Sequence, residues 1–170
     1  MKTLIIGLGN PILGDDGAGW RVAEALSNLQ SPTLRHHSGQ VSDLEVQYLS
    51  LGGLSLMERM IGYDRVILID TLVTGKNPCG HVSRFLLTDL PDFATAHTTA
   101  AHDTSLQTAL RVGKQMGADL PEPENIWIVG IEAQHVYDFS EELSPPIAAA
   151  IPQAVEQVLL SLWEDEKSFI

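Results

Sequence analysis

The sequence is poor in cysteine, in basic residues and in long apolar runs, and each shortage excludes a class of protein. Cys79 is the single cysteine, so no intramolecular disulfide can form, which fits a reducing compartment. Ten lysine and arginine residues against 22 aspartate and glutamate residues give a net charge of −12, which argues against binding to nucleic acid phosphates. No apolar stretch approaches the roughly 20 residues of a membrane span, and Pro11 and Asp15 interrupt the first one too early for a signal peptide. We therefore expect a soluble cytoplasmic protein with no nucleic acid or membrane partner.

The chain is long enough and apolar enough for one hydrophobic core, because 44% of its 170 residues are apolar. We expect a single domain over residues 1–170. Strands are predicted at residues 3–7, 33–38, 65–70, 81–87 and 125–132. Helices are predicted at residues 16–29, 42–51, 54–60, 103–113 and 145–162. This alternation predicts an α/β fold, a three-layer α/β/α sandwich around a mostly parallel sheet with five strands.

The first strand ends in a glycine-rich turn that resembles a phosphate-binding loop only in part. Gly7 and Gly9 follow the strand, but the third glycine of a dinucleotide fingerprint would fall at Ile12. A Gly-Lys-Ser/Thr loop is absent from the sequence. The carboxylates of Asp15 and Asp16 would repel a pyrophosphate at the start of the next helix. We therefore expect no nucleotide cofactor, and a nucleotide-binding enzyme is the weaker alternative.

Three residues in different parts of the chain are predicted to share one edge of the sheet. Asp16, Asp70 and His102 each come just after a predicted strand or just before a predicted helix. Taken singly, each has a structural explanation: a helix N-cap for Asp15 or Asp16, a turn for Asp70, a loop for His102. Taken together, two carboxylates and an imidazole suit a divalent ion such as Zn²⁺ or Ni²⁺ with positions left for water or substrate.

Two further polar residues are weighed in the same way. Glu132 ends a predicted buried strand, where it could act as a base, support another site residue or serve as a turn residue. Cys79 has no Cys-x-x-Cys partner, so no catalytic role is expected. No Ser-His-Asp or Cys-His nucleophile set is evident either.

The ordered motifs resemble a known family. The opening motifs Gly7-Leu-Gly-Asn10 and Asp15-Asp-Gly-Ala-Gly19 are similar to the signature of the hydrogenase maturation endopeptidases. These enzymes remove a short C-terminal extension from the large subunit of nickel–iron hydrogenases. The resemblance continues in order through nearly the whole chain, at Val66–Asp70, His102–Leu106, Val129–Glu132 and Leu143–Pro145.

The resemblance implies roles for individual residues. Asp16, Asp70 and His102 fall where family members bind a metal, either nickel carried by the substrate or another divalent ion, and Asp16 and Asp70 are the best catalytic candidates. The implied partner is the hydrogenase large-subunit precursor, and the implied oligomeric state is a monomer. The substrate-binding candidates are Gly9, Asn10, Gly39, Gln40 and Glu132. The segment from His37 to Asp43 departs from the family patterns at this point, which leaves the hydrogenase subtype open.

The mechanism and two rival functions stay open at this level. A metal could polarise the scissile carbonyl or lower the pKa of a bound water, or a carboxylate could act as general base. A maturation chaperone that binds metal or precursor without hydrolysis is the first rival. The second is a peptidyl-tRNA hydrolase, because Leu4 to Pro11 resembles the start of that family. The chain lacks the Thr-Arg-His-Asn turn that follows there, and its acidic charge suits tRNA poorly.

Overall fold

A computed structural model describes residues 1–29, 43–89, 101–134, 136 and 138–163, with only the backbone described for residues 101–105. The strands are β1 (Thr3–Leu8), β2 (Leu44–Leu49), β3 (Arg65–Leu72), β4 (Val82–Leu86) and β5 (Ile126–Glu132). The helices are α1 (Ala18–Asn28), α2 (Gly53–Arg59), α3 (Ala101–Gln115) and α4 (Pro145–Trp163). In the described parts of the chain, no helix has the length and apolar character needed to cross a membrane.

The five strands form one sheet in the order β2-β1-β3-β5-β4. Strands β2, β1, β3 and β5 are parallel, and β4 pairs antiparallel with β5 at one edge. The carboxyl ends of the four parallel strands therefore lie along one rim of the sheet. The predicted five-stranded, mostly parallel α/β architecture is confirmed.

Successive strand residues point to opposite faces, and each face packs against two helices. Ile5, Ile67 and Val129 belong to the core beneath α1 and α4. Ile6 and Leu68 belong to the core beneath α2 and α3. The central strands are apolar on both faces because both faces are covered, which is the expected pattern for a parallel sheet.

The segment that follows Asp43 is a strand, so the helix predicted over residues 42–51 is wrong. Leu44, Val46 and Tyr48 share one face of β2, where Leu44 and Val46 pack into the core under α1 and the Tyr48 ring contacts the Trp20 ring in a tilted arrangement. Leu44, Tyr48 and Leu51 also satisfy a loose helical spacing, and backbone pairing with β1 decides in favour of the strand. The strand predicted at residues 33–38 lies outside the described residues.

The start of α1 also differs from the prediction. A 3₁₀ turn at Gly14–Gly17 contains both aspartates, and α1 begins only at Ala18 with Gly17 at its N-cap. Neither Asp15 nor Asp16 is the N-cap of α1. The carboxylates of Asp15 and Asp16 accept hydrogen bonds from other parts of the chain, and these contacts define the candidate site.

Candidate active site at the carboxyl rim of the sheet

Glycines allow the start of α1 to lie directly on the ends of two strands. Gly9 has a φ of +119°, a conformation that glycine adopts readily, and a Cβ at this position would overlap the carbonyl oxygen of Asp16. A Cβ at Gly19 would overlap the Leu8 carbonyl oxygen and come within 2.5 Å of the Ile69 carbonyl oxygen. Backbone atoms cannot move aside as a flexible side chain can. The glycines are therefore what permits Asp16 to reach the rim formed by β1 and β3.

Asp16 turns back towards the glycine turn. Its Oδ2 accepts a hydrogen bond from the Asn10 backbone N–H at 2.7 Å, and the residue is half-buried. Asn10 in turn accepts a hydrogen bond from the Ile12 N–H through its side-chain oxygen, at 3.2 Å. A hydrogen bond from a backbone amide to a carboxylate is charge-assisted, so it holds the orientation of the Asp16 side chain.

Asp15, its neighbour, has a different task. Its Oδ1 accepts a hydrogen bond from the Ser144 N–H at 2.7 Å, and its Oδ2 accepts one from the Ser144 hydroxyl at 2.8 Å. Ser144 directly precedes α4, so Asp15 fixes the start of the last helix and places a negative charge there. The structure thus gives different contacts to two adjacent aspartates that the helical pattern alone does not distinguish.

Asp70 lies near the carboxyl end of β3 and is also half-buried. Its Oδ1 accepts a hydrogen bond from the Thr71 N–H at 2.8 Å. The Thr71 hydroxyl donates to the Asp15 carbonyl oxygen at 2.8 Å. Because Thr71 follows Asp70 and Asp15 precedes Asp16, this hydrogen bond joins the immediate neighbours of the two carboxylate residues. The chain beside Asp70 is therefore in direct contact with the chain beside Asp16 at this rim.

His102 is the second residue of α3, which begins two residues earlier than the sequence predicts. The C-terminal end of α3 leads through a loop to the amino end of β5. In that loop the Asp119 carbonyl accepts a hydrogen bond from the Gly62 N–H, at 2.8 Å. His102 therefore lies at the other end of the helix. Its imidazole is outside the described side chains, and its convergence with the two aspartates stays a prediction. Among the described side chains no group of three metal-ligand residues occurs.

The predicted substrate-binding residues have separate outcomes. Gly9 and Asn10 form the turn that contacts Asp16, where the Ser50 hydroxyl donates to the Gly9 carbonyl at 2.6 Å. Gly39 and Gln40 lie outside the described residues. Contact with a substrate stays a prediction for all four.

Glu132 is 2% exposed and holds a loop. Its Oε1 accepts hydrogen bonds from the backbone N–H groups of Thr74 and Gly75, both at 2.8 Å. The Thr74 hydroxyl adds hydrogen bonds to both carboxylate oxygens, at 2.8 and 2.9 Å. Of the interpretations considered for Glu132, these contacts favour the turn residue, which fixes the loop after β3 next to Asp70; a contact with substrate remains untested.

The chemistry of the predicted donor set fits a divalent ion of borderline hardness. Asp16 and Asp70 offer carboxylate oxygens that backbone amides orient. A histidine nitrogen from the first turn of α3 would complete a mixed oxygen and nitrogen set, which suits Zn²⁺ or Ni²⁺ and leaves coordination positions for other groups.

Comparisons with known proteins point to one protein family. The family model described as HycI, hydrogenase maturation protease, matches residues 40–161. The hydrogenase expression/formation protein HupD of Thiocapsa roseopersicina is 29% identical over 160 residues, which cover 93% of this chain and 66% of that protein. The hydrogenase 2 maturation protease of Escherichia coli (strain K12) is 27% identical over 164 residues, which cover 96% of this chain and 92% of that protein.

A solved structure extends the similarity to the fold. The hydrogenase maturating endopeptidase HybD from Escherichia coli has a TM-score of 0.76 and 26% identity, over 97% of this chain and 94% of that one. The chain spans about two thirds of the length of HupD and nearly all of the other two proteins. The family-model match alone covers more than half of the chain and includes Asp70 and His102. The resemblance drawn from the motifs is confirmed, and the chain belongs to the hydrogenase maturation protease family.

Proposed function

We propose that this protein is an endopeptidase that removes the C-terminal extension of a nickel–iron hydrogenase large-subunit precursor after nickel has been inserted. Membership of the maturation protease family supports the class of reaction and substrate. The observation that supports the site assignment is the hydrogen bond from the Thr71 hydroxyl to the Asp15 carbonyl, which joins the neighbours of Asp70 and Asp16, while a backbone N–H orients each of the two carboxylates.

In this proposal the nickel ion arrives as part of the substrate. Asp16 and Asp70 provide carboxylate oxygens to the ion, and His102 provides a ring nitrogen. Their binding holds the neighbouring peptide bond against the glycine turn at Gly9 and Asn10. Holding a reacting bond in a fixed position converts a bimolecular step into one that is effectively unimolecular. The selectivity for a nickel-loaded precursor follows from the same contacts.

The cleavage step is a hydrolysis. Water attacks the scissile carbonyl, the C–N bond breaks, the water oxygen enters the new C-terminal carboxylate, and its proton passes to the leaving amine. Asp16 or Asp70 can take the proton from water as general base, while the ion can polarise the carbonyl. General-base action and polarisation of the carbonyl both depend on Asp16 and Asp70, and neither requires a covalent acyl-enzyme.

The test uses precursor with and without nickel. We expect the wild-type protein to shorten only the nickel-loaded precursor, as measured by intact mass. Replacing Asp16 by Ala should abolish the mass change while the variant keeps the far-ultraviolet circular dichroism of the wild type. Cleavage by Asp16→Ala at the wild-type rate, or no cleavage of either precursor, contradicts the proposal. Binding of the loaded precursor without any change of mass would instead identify a non-hydrolytic maturation chaperone.

A further inference from the structure

We propose that Thr71 is a positioning residue that sets the relative position of the carboxylates of Asp16 and Asp70. The inference rests on the proposed function for its catalytic consequence, because that function assigns the two carboxylates to one ion. Thr71 does not need to touch the substrate for this role. It acts through the hydrogen bond that joins the end of β3 to the 3₁₀ turn before α1.

The backbone N–H and the side-chain hydroxyl of Thr71 are both used at the site. Its backbone N–H donates to Asp70 Oδ1 at 2.8 Å, and its hydroxyl donates to the Asp15 carbonyl at 2.8 Å. The side chain is 0% exposed, so water does not compete for the hydroxyl. One residue therefore orients the Asp70 carboxylate and at the same time holds the backbone next to Asp16.

The Thr71 hydroxyl affects the position of the 3₁₀ turn more than the stability of the folded protein. The Asp15 carbonyl also accepts a hydrogen bond from the Ala18 N–H, so it keeps a partner when the hydroxyl of Thr71 is removed. The loss is then smaller than for a buried carbonyl with no partner at all. What disappears is a buried side-chain hydrogen bond between β3 and this turn.

The other side of the turn is already fixed. The Asp15 carboxylate binds Ser144 at the start of α4, and the Gly14 N–H donates to the Ser140 carbonyl at 2.7 Å. The turn is thus attached to the α4 side by three hydrogen bonds. Without the Thr71 hydroxyl these bonds would keep the turn with α4 and leave its distance from β3 less defined.

Three variants separate positioning from packing. Thr71→Val keeps the branched shape and removes the hydroxyl, whereas Thr71→Ser keeps the hydroxyl and removes a methyl group. Thr3→Val is the matched control, because Thr3 is also buried in the sheet and its hydroxyl oxygen accepts a hydrogen bond from Arg65 at the opposite end of the strands. The readouts are kcat/KM on nickel-loaded precursor, and amide hydrogen exchange at Asn10 and at residue 71, whose N–H groups bind the two carboxylates.

We expect Thr71→Val to lower kcat/KM roughly ten- to hundredfold, as small displacements of catalytic groups do, and Thr71→Ser to remain within a few-fold of the wild type. Thr71→Val should also accelerate exchange at Asn10 and residue 71 selectively, and Thr3→Val should change neither readout selectively. Unchanged exchange at both amides in Thr71→Val overturns the inference, and so does an equal loss of activity in Thr3→Val. If the wild type does not cleave, the proposed function fails, and the exchange data still decide whether Thr71 positions the carboxylates.

Discussion

At the scale of single residues, the hydrogen-bond partners of Asp15 and Asp16 determine which role each carboxylate has. Asp15 and Asp16 are adjacent and identical, yet one carboxylate binds Ser144 and the other binds the Asn10 amide. The helical pattern locates both at the start of a helix, and only the resemblance to a known family singles out Asp16. The partner of Asp15 lies 129 residues away, so only the folded chain shows which aspartate is structural.

The structural role of Asp15 gives a stability prediction. Replacing Asp15 by Ala leaves the Ser144 N–H and hydroxyl without their acceptor, which should lower the free energy of unfolding by about 1–3 kcal/mol. Urea unfolding followed by circular dichroism measures it. Ser144→Ala is the control: it removes only the hydroxyl and should lower the same quantity by roughly 0.5–1.5 kcal/mol. An Asp15→Ala variant as stable as the wild type would contradict the assignment.

At the scale of secondary structure elements, long and regular patterns were enough to predict most of the sheet and the last helix. The apolar runs of β1, β3 and β5 are buried on both faces, and they ended where the sequence predicted polar site residues. The failures were local and have physical reasons. Strand β2 lies at an edge and has partly buried residues on both faces, so its pattern also fitted a helix. The N-cap prediction failed because both aspartates bond to other groups.

A hydrogen bond between two titratable side chains, Tyr63 and Glu45, links edge strand β2 to the segment before β3. The Tyr63 hydroxyl donates to Glu45 Oε2 at 2.5 Å. Burial, and then the hydrogen bond to Glu45, raise the pKa of Tyr63 to about 12 from 10.0. The same hydrogen bond, followed by that from Gln47, is the main cause that lowers the pKa of Glu45. Because the folded state holds the phenol proton more tightly, Tyr63 contributes stability below pH 10 that is lost as the pH rises towards 12.

The prediction for this tie is a change in pH dependence. Tyr63→Phe has no phenol proton to lose, so its free energy of unfolding should fall less steeply than that of the wild type between pH 10 and 12. Its Glu45 carboxyl should titrate at a higher pKa than in the wild type, because the principal hydrogen bond is gone. Urea unfolding across this range and NMR titration of Glu45 measure both effects. Identical slopes for the two proteins would rule out the proposed tie.

At the scale of the whole molecule, helix α4 is held at both ends by groups of the appropriate charge. The Asp15 carboxylate binds its start. The guanidinium of Arg65, buried at 4% exposure, donates to the carbonyls of Ser161 and Leu162 near its end, at 3.2 and 3.4 Å. A negative charge at the start of a helix and a positive charge at its end both favour the helix dipole. The anchoring of α4 therefore runs from the candidate site at the carboxyl ends of the strands to the amino end of β3.

The C-terminal anchor can be tested without touching the site. Replacing Arg65 by Met keeps a long apolar side chain and removes charged hydrogen bonds worth about 1.5–3 kcal/mol each, so the free energy of unfolding should fall by at least roughly that amount. Arg59→Met, at an exposed position in the last turn of α2, should change it by less than about 0.5 kcal/mol. Urea unfolding compares the two. Equal effects would mean that the buried cation does not anchor α4.

The central claim is that Asp70, together with Asp16 and His102, acts on nickel-loaded precursor at the carboxyl rim. The most direct test compares two Asp→Asn variants at opposite ends of one strand: Asp70 near the end of β3, and Asp64 just before its start, where Asp64 binds the Lys2 N–H at 2.5 Å. Intact mass of the nickel-loaded precursor after incubation gives the result. We expect Asp64→Asn to release the C-terminal extension at nearly the wild-type rate and Asp70→Asn to release none. Cleavage by Asp70→Asn at the wild-type rate would contradict the account.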